Sequence, residues 1–206
     1  EGMHDYSIDK HPKEKVLFFL ALVAITSAPI IKELAEYLVS LLEVSTGWSS
    51  APVVAVPVFG LFAGLYFLFD KYLWKISWLR KVLLVPDLNG KWRCNGHTNL
   101  KNAEQVDYDW NATVSITQSW SKILIHLNTS QSESKSISAS IYHEAGVGYR
   151  LLYQYNNKPN ANELDLNNHS GSAELLFTED TVSASGSYYT DRHRTTVGTM
   201  ILEREK

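Results

Sequence analysis

The chain has 206 residues, 45% of them hydrophobic and 12% aromatic, with 19 Lys+Arg against 22 Asp+Glu for a formal charge of -3; that length allows one or two domains and excludes a large multidomain enzyme. The weakly acidic balance excludes bulk capture of DNA or RNA, because counterion release needs a concentrated Lys/Arg surface. Cys94 is the only cysteine, so neither an intramolecular disulfide nor an all-cysteine zinc site can form.

Taken in chain order, Glu1 and Gly2 ahead of Met3 read as a remnant and are set aside. Val16 to Ile31 carries no formal charge, but its 16 residues rise only ~24 Å as a helix, short of a ~30 Å bilayer core. The helix is therefore expected to continue through Lys32 to Glu43, with Leu34, Tyr37, Leu38, Leu41 and Leu42 on one face. Lys32, Glu33 and Glu36 have two readings: a polar path within the membrane, or a Lys32/Glu36 i,i+4 pair at the water interface. From Val44 to Phe69 there are 26 consecutive uncharged residues, enough for a second span. A cleaved signal peptide is the alternative for the first segment, and the lack of a small-x-small cleavage site argues against it.

Basic residues (Lys10, Lys13, Lys15; Lys71, Lys75, Arg80, Lys81) flank the hairpin outside, and only Lys32 lies within. The positive-inside rule then puts both termini in the cytoplasm. Gly60 and Gly64 form a GxxxG, which either lets two helices approach closely, as a candidate oligomerisation face, or reflects the general abundance of glycine in membrane helices. Trp74 and Trp78 suit an interfacial belt.

After Pro86 the character changes to period-two alternation, as in Tyr108, Trp110, Ala112, Val114 and Ile116 interleaved with polar neighbours. Runs near 91–98, 108–120, 122–129, 135–143, 148–156, 169–178, 181–190 and 194–203 predict eight meandering strands, and closure into a barrel removes their open edges. The loop 156–168 is polar. Asn89-Gly90-Lys91-Trp92 resembles the Gly-x-Trp start of lipocalin-type barrels, which implies that Trp92 plugs one end under an arginine, with Arg204 the candidate. The predicted fold is two N-terminal transmembrane helices followed by a small eight-stranded lipocalin-like antiparallel β-barrel. The predicted segments are a tail at 1–15, a hairpin at 16–69, a linker at 70–86 and a barrel at 87–206.

The basic tail, hairpin, aromatic linker and small barrel, with PDLNGKW at 86–92, HSGSAEL at 169–175 and GSYYTDRHRTTVGTMIL at 186–202, together resemble one family. It is the two-transmembrane β-barrel effectors of CBASS, the bacterial cyclic-oligonucleotide antiphage signalling systems, also called CD-NTase-associated transmembrane effectors. The resemblance implies a receptor in the bacterial inner membrane whose barrel binds a cyclic dinucleotide and whose helices oligomerise and disrupt the bilayer. It implies no cofactor.

A cyclic dinucleotide presents two phosphates and two bases, so its pocket needs charge-assisted donors beside flat apolar faces. The candidates are Arg150, Tyr153 and Tyr155 on one strand, Tyr142 on its neighbour, and Arg192, Arg194 and Thr196 around the last hairpin. Arg192 and Arg194 could clamp a phosphate or form a solvated hairpin tip. Arg150 lies on the face opposite Tyr153 and Tyr155, and the sequence leaves open which face points inward. Catalytic signatures are missing: there is no Gly-x-Ser-x-Gly, HExxH, P-loop or Gly-x-Gly-x-x-Gly after a strand, so neither an enzyme nor a metal site is expected. Two competitors are a membrane-tethered lipocalin-like binder of lipid or another hydrophobic ligand, and a structural anchor with a filled barrel. An interior arginine would count against the lipid binder.

Overall fold

A computed structural model describes residues 2–46, 58–99, 107–162, 167–191 and 196–205. The chain divides into two compact units, Pro12–Trp74 and Glu1–His11 joined with Lys75–Lys206.

The first unit is helical. Helix α1 runs Lys13–Thr46, with a mean hydropathy of 1.9 in the most apolar 18 residues of the 26-residue stretch Lys13–Leu38. At 1.5 Å per residue that stretch rises ~39 Å, more than a bilayer core requires. Among the described residues it is the one helix long and apolar enough to cross a membrane. Phe18, Phe19, Ile25 and Ile30 are exposed along it, the side chains that lipid would cover. The hydroxyls of Thr26 and Ser27 donate back to the carbonyls of Leu22 (2.9 Å) and Val23 (2.6 Å), which pairs both hydroxyls within the helix. Lys32 and Glu36 form the i,i+4 pair at 3.7 Å with both side chains about half exposed. Helix α2 covers Val58–Lys71 and packs against α1. Residues 47–57 of the long uncharged run lie outside the described residues.

Among the described residues the second unit is a closed sheet of nine strands. All eight runs expected from alternation are strands: β2 Gly90–Asn99, β3 Tyr108–Gln118, β4 Lys122–Asn128, β5 Ser132–Glu144, β6 Gly148–Pro159, β7 His169–Phe177, β8 Ser183–Thr190 and β9 Val197–Arg204. A short helix α3, Ser77–Leu83, precedes them. Successive strands pair antiparallel, and β9 returns to β2. The ninth strand is β1, His4–Ile8, in the stretch that the sequence reads as a tail. Of the two tryptophans of the linker, Trp74 is fully buried and Trp78 is exposed.

Strand β1 fills a fork. β4 and β5 pair directly only next to their hairpin, at His126–Asn128 with Glu133–Lys135. A register shift between Ser136 and Ser138 then turns β5 away, as an extra residue in one strand does. β1 slots between, antiparallel to β4 and parallel to β5, with Tyr6 opposite Ala139 and Ile8 opposite Ile141. At the fork the Ser136 hydroxyl accepts from the Ile125 N–H (2.9 Å) and bonds the His4 ring (2.7 Å). Tyr6 and Ile8 join the core, and the Tyr6 hydroxyl accepts from the Gln118 amide at 3.0 Å. Beyond β1, Trp120 Nε1–H donates to His11 Nε2 at 2.9 Å. An indole can only donate, so His11 is held as the Nδ1–H tautomer, and that proton faces the Leu83 carbonyl at 3.1 Å.

One end of the sheet is packed shut. Trp92 is fully buried, donates to the Leu88 carbonyl at 3.1 Å and meets Phe177 edge-on at 5.0 Å. The Arg204 guanidinium lies 5.2 Å from the Trp92 ring centroid and donates to the carbonyls of Asp87, Asn89 and Thr181. This is the Trp–Arg closure that the Gly-x-Trp start implies. Cys94 lies in the same core, where burial pushes its thiol from 9.0 to about 12. In the native chain a maleimide at pH 8 is expected to leave it unlabelled, and unfolding should expose it to complete labelling by mass spectrometry. The unfolded thiol ionises near 9.0 and the folded one only near 12, so its contribution to stability is intact below pH 9.0 and is lost as pH rises toward 12.

Candidate functional site

The opposite end of the sheet is open. A cavity of about 430 Å³ occupies the mouth, between β3, the β4–β5 hairpin and the inner faces of β6, β8 and β9. Strand pleating decides which side chains reach it. On β6 the odd positions Tyr149, Leu151, Tyr153 and Tyr155 are buried, whereas Arg150, Leu152, Gln154 and Asn156 face out.

Tyr153 and Tyr155 therefore line the cavity, with their rings tilted at 6.1 Å. Burial pushes the Tyr153 phenol above its ordinary range, so it remains a neutral hydrogen-bonding group. Trp110 and Tyr188 form the other aromatic wall, edge to face at 5.8 Å, and both are tied to Thr98. The Trp110 indole donates to the Thr98 hydroxyl at 3.0 Å, and that hydroxyl bonds the Tyr188 hydroxyl at 2.6 Å. Around this apolar floor runs a rim of hydroxyls and amides that includes Thr129, Ser132, Asn157, His169, Thr190 and Thr196.

Three glycines make space for these rings. A Cβ at Gly96 would lie 2.2 Å from the Trp110 ring, one at Gly198 2.5 Å from the Tyr188 ring, and one at Gly171 2.3 Å from the Tyr155 hydroxyl. Gly96 faces Trp110 across β2 and β3, and Gly171 faces Tyr155 across β6 and β7. Each bare backbone lets a large ring lie flat against the wall. The consequence is a cavity with flat sides.

Among the sequence-selected residues, Tyr153, Tyr155 and Thr196 come together at the mouth. Thr196 is buried, and its backbone N–H donates to the Thr190 hydroxyl at 2.9 Å. Arg150 and Tyr142 do not join them. They face each other on the outside of the sheet, where Arg150 is paired with Glu144 and Glu174. Those carboxylates explain its place: Arg150 beside Glu144 holds the Glu144 carboxyl below its usual range, and the guanidinium is raised in return. Arg192 and Arg194 lie outside the described residues.

Among the described residues the lining holds no Lys or Arg, so an interior arginine cannot serve to distinguish a nucleotide site from a lipid site. The open cavity does not fit the filled barrel of a structural anchor. Among the described residues there is also no group of three His, Cys, Asp or Glu side chains placed to hold a metal ion. Sequence reasoning missed Met200, Asn157 and His169 as wall residues, and Thr98 as the group that ties Trp110 to Tyr188.

Two family models match this chain: Cap15, cyclic dinucleotide receptor domain, over residues 83–204, and Cap15, TM helices, over residues 14–75. A curated relative, CD-NTase-associated protein 15 of Yersinia aleksiciae, is 43% identical over 145 residues, which is 70% of this chain and 68% of the relative. Every residue lining the mouth falls within the receptor-domain match, whereas β1 falls outside both. The chain belongs to the Cap15 family, with membrane helices joined to a cyclic dinucleotide receptor domain.

Proposed function

We propose that this protein is a membrane-anchored CBASS effector that takes a cyclic dinucleotide into the mouth of its closed sheet, clusters, and disrupts the inner membrane. The observation that carries the reading is the cavity itself, with paired aromatic faces and a hydroxyl and amide rim, inside the stretch that matches a cyclic dinucleotide receptor. Trp110, Tyr188, Tyr153 and Tyr155 offer stacking faces for bases, a contact that tolerates any base. Thr190, Thr196 and Asn157 offer donors to base edges or phosphate. Arg192 and Arg194, which lie in sequence between the lining residues Thr190 and Thr196, would supply the positive charge that two phosphates require.

In this reading both termini are cytoplasmic. Supporting it, β1 precedes α1 and pairs in one sheet with strands that follow α2, so the two ends of the helical unit share a compartment and the chain crosses the membrane an even number of times. Gly60 and Gly64 would serve clustering: both lie in α2, and a Cβ at Gly64 would meet nothing within 4 Å, leaving that face open to a second helix. The chain acts as a receptor and not as a catalyst.

The test is thermal unfolding of the full chain in detergent with cyclic di-GMP, cyclic di-AMP, cyclic GMP–AMP and a long-chain fatty acid. At a hundredfold excess over Kd, mass action adds about 2.7 kcal/mol, a rise of roughly 5–10 °C in Tm for a protein of this size. A shift with one cyclic dinucleotide and none with the fatty acid is expected; the reverse would establish the lipid binder instead.

A further inference from the structure

The fork between β4 and β5 accepts a strand that arrives from the far end of the chain. That strand is short, with two register pairs on β4 and three on β5, whereas the neighbouring β5–β6 ladder continues along the whole of both strands. It is joined to α1 by only four residues, Asp9–Pro12, and Lys10 within them has φ of 55°. A non-glycine residue in the left-handed region is strained, and short strained hinges favour exchange of the element they carry.

We propose that the β4–β5 fork is an interaction surface for a second copy of this chain, occupied in the clustered state by the partner's β1. The contacts made are the same in either arrangement: Tyr6 on Ala139, Ile8 on Ile141, and His4 on Ser136. Exchange therefore preserves these ladder contacts and releases the hinge, putting at stake only the hinge's own bonds, from the Asp9 N–H to the Ile141 carbonyl and from His11 to Trp120 and Leu83. Four extended residues span at most about 14 Å, so only chains already side by side can exchange. Confinement to a membrane supplies the high local concentration that this requires. Passed head to tail, the exchange does not close on itself and produces a row of linked chains. The inference deepens the clustering part of the proposed function, and its test can be read separately from ligand recognition.

Ser7 and Ser140 are register partners on the outer surface of β1 and β5. Full-length chains bearing Ser7→Cys with one tag and Ser140→Cys with another would be mixed in phospholipid vesicles and oxidised, with and without each cyclic dinucleotide of the panel. The fully buried Cys94 stays out of the reaction. A mixed disulfide on a non-reducing gel that rises several-fold with membrane density is the expected result. Its rise with a cyclic dinucleotide would tie exchange to the ligand; its appearance at high density without any ligand effect would support exchange and count against ligand-driven clustering. The chain carrying both cysteines serves as the positive control. Internal cross-linking there with no mixed product at any density overturns the proposal, and so does failure of that chain to cross-link at all. Lys10→Gly, which relieves the hinge without touching the ladder, is expected to lower the mixed product several-fold, and an unchanged yield would overturn the argument from strain.

Discussion

Gly96→Ala is expected to weaken cyclic dinucleotide binding by roughly ten- to a hundredfold, the loss of about one base–aromatic stack at 1–3 kcal/mol. A methyl group there would lie 2.2 Å from the Trp110 ring, and Gly96 is the register partner of Trp110 on β2. The ring must swing into the cavity, which breaks the Trp110–Thr98–Tyr188 chain of hydrogen bonds and fills the space a base would occupy. Titration calorimetry on the full chain measures it. Arg150→Ala is the contrasting variant. Its ion pairs with Glu144 and Glu174 lie on the outer surface, where such pairs contribute only about 0–1 kcal/mol, so binding should remain at the wild-type level. Wild-type affinity in Gly96→Ala would remove Trp110 from the site.

Trp92→Ala acts at the other end and on stability. The indole is fully buried, bonded to Leu88, edge-on to Phe177 and covered by Arg204. Removing a buried tryptophan costs about 3–5 kcal/mol, a large share of the ~5–15 kcal/mol that holds a typical domain together. Thermal unfolding should shift down by roughly 6–20 °C for a protein of this size. Trp110, half-buried at the mouth, should show the reverse pattern when cut to alanine: a modest loss in Tm and a large loss in binding. A Trp92→Ala chain melting within 2–3 °C of wild type, estimated on the same scale, would show that the Trp–Arg closure is not what seals this end.

The eight C-terminal strands were legible because each has one buried and one wet face, so its pattern repeats every two residues. Their ends drift by a few residues where polar side chains continue the ladder: Ser132 to Ser134 begin β5 ahead of its apolar alternation. The face of β6 was also available, since Tyr149, Leu151, Tyr153 and Tyr155 outweigh Leu152 alone on the other side; an arginine opposite two tyrosines obscured it. Strand β1 left a faint trace in the alternation of His4, Tyr6 and Ile8. Five residues ahead of a basic segment, joined to the sheet by no hairpin, give a local reading nothing to pair them with. The glycine–aromatic pairs were hidden for a related reason. Gly96 and Trp110 become neighbours only once the register of β2 on β3 is known.

The placement of β1 also orders the birth of the protein. Residues 4–8 leave the ribosome well before their seat at Ala139–Ile141, which is made some 130 residues later, after the whole helical segment. Pairing over such a separation is entropically slow to form. Synthesis proceeds at about 5–20 residues per second, so the first strand waits for many seconds while α1 and α2 enter the bilayer. A nascent chain interrupted before residue 139 would have lodged its helices without a finished receptor, and the closed sheet is assembled only once β9 has followed.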